Sequence, residues 1–331
     1  MNQVIETREL FTLNCQGAVL HGTFHKPPKD CPRRNPTGIL YLGGLPMPRA
    51  AHGDAAVYWA ASFANFGYPS FRIDLPGSGD SSADVPAELL QFISTGGHER
   101  VAAAAVKQLV ERYNLSGLVI LGHCAGAISA MFAAAISEEC RGLILLDPPF
   151  HLPSAGRPKV REVLFHWSTR SRLGGLLSNI HDQINNIRLF LRRNAPPENT
   201  NFPLLKRWKD LACGGLPILL LIAPPPKASA TKPRVGKFDY LRHILKLAGN
   251  RSRVDVKIIE SAHHTFSDPV GRDAVRRQVE QWMPTFFPFE NLEQATANFA
   301  QPMHSNNEAE FSTRQSMFAR VDATREVESL P

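Results

Sequence analysis

The stretch from Leu118 to Ala127, LVILGHCAGA, constrains the fold of this chain more than any other. Four apolar residues, Leu118 to Leu121, run into Gly122-His123-Cys124-Ala125-Gly126, and an alanine-rich helical pattern continues to Ile136. An apolar run that stops at a glycine and resumes with helical spacing reads as strand, tight turn and helix, with a cysteine at the apex. The glycines two before and two after the apex have a steric role, because side chains there would collide with the adjoining strand and helix. The spacing suits a nucleophile elbow, in which a strained turn presents one reactive side chain. Cys124 also reads as a small hydrophobe buried in an ordinary strand-to-helix turn. The rest of the chain has to decide between the two.

The flanking sequence alternates strands with helices. Residues 6–25 carry two alternating apolar stretches around Gln16-Gly17, the pattern of a hairpin. Gly38 to Leu42 is a short apolar run fit for a strand buried on both faces, and it ends in Gly43-Gly44-Leu45-Pro46. Glycines directly after a central strand let the backbone turn sharply with its N–H groups outward, which makes one half of an oxyanion hole. A helix over 54–66 and a strand over 69–74 follow. In the loop after that strand, Asp74 and Asp80 read better as loop-fixing residues than as catalytic carboxylates. A helix over 98–113 leads to the Leu118 strand.

Gly142 to Leu146 is the next buried strand and ends in Asp147-Pro148-Pro149. That puts a carboxylate on the ligand-binding edge of an open α/β sheet, although Asp before Pro also initiates turns. Pro217 to Ala223 and Val254 to Ile259 are the last strands. The second runs into ESAHHTF, Glu260 to Phe266, and then a helix over 269–283. Between 150 and 213 the alternation stops, and helices broken by Gly174-Gly175 and Pro196-Pro197 read as an inserted helical lid. The domain reading is therefore an α/β core over 1–149 and 214–286, a lid over 150–213, and a polar acidic tail over 287–331.

Charge is unevenly placed along this plan. Residues 151–210 hold eleven Lys/Arg against four Asp/Glu, an excess of seven that equals the net charge of the whole chain. This is either a solvated helical surface or a basic rim that draws an anionic substrate, an acyl carrier or a lipid headgroup. The tail has three Arg against seven Asp/Glu and reads as poorly ordered or docked on the basic lid. No nucleic-acid motif accompanies the pI near 9.3, so nucleic acid is not an expected partner. Five scattered cysteines with no C-x-x-C pair argue against a disulfide framework or a zinc site. No metal cluster or nucleotide-binding loop is visible, so no cofactor is expected. Neither a leader nor an apolar run of about 18 residues appears, so a cytoplasmic protein with no integral membrane association is expected. Oligomeric state is left open.

Three features belong to acyl transfer when brought together: a nucleophile after one strand, outward N–H groups after an earlier one, and a histidine after the last. At YLGGLPMPR, FRIDLPGSGDS, LGHCAGA, LILLDPPF and ESAHHTF the chain resembles the α/β-hydrolase superfamily, over roughly Thr37 to Met283. More narrowly it resembles the small hydrolases associated with bacterial exosortase gene clusters, some of which carry cysteine in the elbow. The resemblance implies a mostly parallel central sheet flanked by helices. It makes Cys124 the nucleophile, His264 (in preference to His263) the base, and the N–H groups of Ala125 and Leu45 the oxyanion hole. Gly44, Arg49 and His123, in the same segments, are the substrate-binding candidates.

The acid departs from the superfamily pattern. The turn after Pro217–Ala223 usually carries Asp or Glu, and here it is Pro224-Pro225-Pro226-Lys227. Asp147 and Asp239 are the alternatives, in that order, and a Cys-His dyad with no acid is a third, since a thiol ionises more readily than a hydroxyl. The expected activity is hydrolysis of a small-molecule or carrier-bound ester or thioester through an acyl-cysteine. An acyltransferase or cyclase would use the same intermediate. A binding protein that has lost catalysis is the reading from a different class.

Overall fold

The computed structural model describes residues 7–44, 47–82, 86–152, 196–224, 238–250, 252–260 and 262–289. Eight strands form one sheet: β1 (Thr7–Cys15), β2 (Ala18–Lys26), β3 (Thr37–Leu42), β4 (Ser70–Ile73), β5 (Gly117–His123), β6 (Cys140–Leu146), β7 (Ile218–Ile222) and β8 (Val254–Ile258). Their order is β1-β2-β4-β3-β5-β6-β7-β8. β1 and β2 are a hairpin turned at Gln16-Gly17, both at positive φ, and β2 meets β4 antiparallel. From β4 to β8 every pairing is parallel. β5 therefore lies centrally, between β3 and β6, as its unbroken apolar run requires.

Helices α1 (Ala55–Phe66), α2 (Leu89–Ser94), α3 (Glu99–Tyr113), α4 (Ala125–Ala134), α5 (Phe202–Cys213), α6 (Tyr240–Ala248) and α7 (Pro269–Phe286) cover the sheet. Strand side chains alternate between its two faces. On β5 and β7, Leu118, Ile120, Ile218 and Leu220 enter one core with α3, α4 and α5. Val119, Leu121, Leu219 and Leu221 enter the other, with α1 and α7. This is a doubly covered α/β sheet, the expected class.

α5 lies inside the stretch expected as a lid, and it is a core helix. Leu204, Leu205, Trp208, Leu211 and Ala212 are buried at helical spacing, and Trp208 Nε1 donates to Ile244 O at 2.8 Å. Asn201 caps its first turn by accepting from Leu204 N at 3.1 Å. Residues 153–195, most of the expected lid, lie outside the described residues, as do 290–331 of the expected tail. Phe287 and Phe289 pack against the α1–α7 core, and Phe287 O accepts from Tyr68 Oη at 2.7 Å. Among the described residues, no helix is long and apolar enough to cross a membrane.

Candidate active site

The apex of the β5–α4 turn is built as its glycines suggest. Cys124 sits at φ 53° and ψ −118°, a conformation that L residues rarely adopt, and its N–H donates to Leu146 O at 2.9 Å. A Cβ on Gly122 would lie 2.5 Å from Ala127 Cα, and one on Gly126 would overlap the carbonyl oxygens of Leu42 and Gly43. The two glycines thus let α4 start directly against β5 and the end of β3. Cys124 is partly exposed, while Ala125 and the rest of α4 are buried.

Ala125 opens α4, so its N–H has no acceptor within the helix. A Cβ on Gly44 would stand 3.4 Å from Cys124 Cβ and 3.9 Å from Ala125 N. The loop after β3 therefore passes directly over the elbow, where an oxyanion would face both. Leu45, the second expected donor, lies outside the described residues. Its neighbours are tied down: Met47 N donates to Gly44 O at 3.2 Å, and Ser78 Oγ to Met47 O at 2.6 Å.

His264 lies in the loop between β8 and α7, and its Nδ1 is 3.0 Å from Asp147 Oδ2. Asp147 follows β6 at φ 44°, a left-handed position that Asp tolerates better than most residues. Its N–H donates to Leu221 O at 3.0 Å, and its Oδ1 accepts from Ala223 N at 2.9 Å. The neighbouring strand β7 thus fixes the carboxylate, leaving Oδ2 for the imidazole. The hydrogen bond to Asp147 pushes the His264 pKa up to about 10, and the adjacent Cys124 adds to this as hydrogen-bond partner and as negative charge. This favours the charged form of the ring, which lies between the Asp147 carboxylate and Cys124. More than half of its side chain is open to solvent (57%), so a substrate can reach it.

The other candidates are placed differently. Asp239 is the N-cap of α6, accepting from Arg242 N at 2.9 Å. Arg49 is held by Asp74 and, at 2.8 Å, by Asp80. Asp74 also accepts from Arg49 N and Asp80 N, so it does fix the loop after β4. His123 is only 3% exposed and donates from Nε2 to the backbone carbonyl of His264 at 2.8 Å. Burial pushes its pKa down to about 4, so the ring is neutral. The sequence carried no sign of that bond, because its acceptor is a main-chain oxygen. His263 is exposed.

The alpha/beta hydrolase fold family matches residues 39–209, just over half of the chain. The chain belongs to the α/β-hydrolase family. Solved structures carry the likeness further along the sequence. The Pyrococcus furiosus esterase Pf2001 is similar with a TM-score of 0.55 and 13% identity, over 85% of this chain and 92% of that one. The Pyrococcus horikoshii acylaminoacyl peptidase is similar with a TM-score of 0.54 and 14% identity, over 92% of this chain and 44% of that one. At such identities the likeness is one of fold. No curated protein matches this α/β hydrolase by sequence.

Proposed function

We propose that the chain is an acyl-group hydrolase that cleaves esters or thioesters through an acyl-cysteine intermediate on Cys124. The observation that carries this reading is the His264 ring, held at Nδ1 by Asp147 at 3.0 Å and close enough to Cys124 for the sulfur to raise its pKa. In this scheme the Cys124 thiolate attacks the substrate carbonyl carbon, and the carbonyl π electrons move to oxygen. The Ala125 N–H at the start of α4, together with the N–H of Leu45, stabilises that oxyanion. As the tetrahedral intermediate collapses, the bond to the leaving group breaks and the His264 imidazolium protonates it. Neutral His264 then takes a proton from water, whose oxygen attacks the acyl-cysteine. The second collapse releases the carboxylic acid and restores the thiolate and imidazolium. Asp147 keeps the ring oriented and favours its charged form. The excess of Lys/Arg over 151–210 supports an anionic acyl substrate, carrier-bound or free.

Turnover of p-nitrophenyl acyl esters and acyl thioesters over a range of chain lengths tests the reading. The wild type is expected to hydrolyse at least one series, and Cys124→Ala and His264→Ala to lose about 10²-fold or more in kcat. Turnover that survives Cys124→Ala would overturn it.

A further inference from the structure

The geometry points to His123 as a positioning residue that sets the base against the nucleophile, an inference that rests on the acyl-cysteine reading above. His123 is the last residue of β5 and the chain neighbour of Cys124. It shares a sheet face with Leu121, so its ring lies on the side of α1 and α7, beneath the loop that carries His264. There its Nε2 donates to His264 O at 2.8 Å. Its ring meets Phe266 edge-on, with centroids 6.0 Å apart, and Phe266 is fully buried. The loop itself is a tight turn, closed by Phe266 N donating to His263 O at 2.9 Å, with Phe266 at φ 48°.

His264 is thereby held at two separate points. Asp147 holds the ring through Nδ1, and this fixes its rotation. His123 holds the main chain through the carbonyl, and this fixes where the ring starts from. The second hold acts on the main chain of the β8–α7 loop, alongside the packing of buried Phe266 against the His123 ring. A bond from the residue adjacent to the nucleophile makes the spacing of Cys124 and His264 a local property of one turn against another. Misplacement of a reacting pair by about 1 Å is enough to cost on the order of 100-fold in rate.

The bond leaves from Nε2, the far end of the ring, which gives a discriminating pair of variants. Gln places an N–H donor at about the reach of Nε2, whereas Asn places one at about the reach of Nδ1. The readout is the pH profile of iodoacetamide alkylation at Cys124, identified by peptide mass. His123→Gln is expected to stay within about threefold of the wild-type rate at pH 7. His123→Asn is expected to fall about tenfold or more and to shift its profile toward that of a free thiol. Equal rates and profiles for the two variants would overturn the inference. His264→Ala separates this from failure of the functional reading. If that variant alkylates as the wild type does, the base does not act on Cys124 and the reading itself falls. Should neither His123 variant fold, the ¹⁵N shifts of His123 in the wild type decide: an Nε2–H neutral tautomer is required, and an Nδ1–H tautomer overturns the assignment.

Discussion

Asp147 and His264 are 117 positions apart in sequence and 3.0 Å apart in the structure, Oδ2 to Nδ1. The sheet order brings this about. β6 and β8 flank β7 in a parallel set, so the turns after all three emerge at the same edge. The carboxylate after β6 leans on Ala223 N at the end of β7 and meets the loop that follows β8.

The two candidate acids should separate cleanly. Asp147→Asn keeps an acceptor for Ala223 N and a residue that tolerates positive φ, but removes the charge beside His264. Its kcat/KM on the best p-nitrophenyl ester is expected to fall about 100-fold, and at neutral pH it also loses the stability that the Asp147–His264 charge pair contributes. Asp239→Ala removes the α6 cap and is expected to cost about 1 kcal/mol in urea denaturation, with kcat/KM unchanged. The reverse pattern would move the acid to Asp239.

Stability should carry the signature of a charged His264. Its pKa is raised from 6.5 to about 10 in the folded chain, so folding favours the protonated ring. The stabilisation is complete below pH about 6.5 and is lost as the pH rises through about 10. The difference in Tm between wild type and His264→Gln is therefore expected to shrink steadily over that window. A difference that is constant from pH 6 to pH 10 would contradict the charged ring.

Gly126→Ala tests the packing of the elbow. The added methyl would overlap the carbonyl oxygens of Leu42 and Gly43, which are main-chain atoms of a central strand and its loop. A destabilisation of about 2 kcal/mol or more is expected from denaturant titration, with loss of Cys124 reactivity. A variant of wild-type stability would mean that the loop after β3 yields easily.

Trp208→Ala tests whether α5 belongs to the core. Trp208 is fully buried and its Nε1 is bonded to Ile244 O. A loss of about 3–5 kcal/mol is expected from the same titration. A loss below about 1 kcal/mol would place α5 with a separable cap.

The legible parts of this fold are those where burial writes a pattern into the chain. β3, β5, β6 and β7 are covered on both faces, and each reads as a continuous apolar run. Helix α5 carried its own signal, the spacing of Leu204, Leu205, Trp208 and Leu211. That signal was obscured by the basic, glycine- and proline-broken stretch before it. The choice between Asp147 and Asp239 stayed open in the sequence because either could reach a histidine loop of unknown position. Strand order supplies the missing distance. The bond from His123 to the His264 carbonyl left no trace at all, since a main-chain acceptor has no residue type.

The most direct test of the acyl-cysteine account is the intact mass of the protein mixed rapidly with a p-nitrophenyl ester or acyl thioester that it consumes. The account predicts a transient gain of one acyl group, mapped by peptide digestion to Cys124, absent from Cys124→Ala, and persisting longer in Asp147→Asn. Turnover with no acyl adduct at any time, or an adduct mapped to another residue, would contradict it.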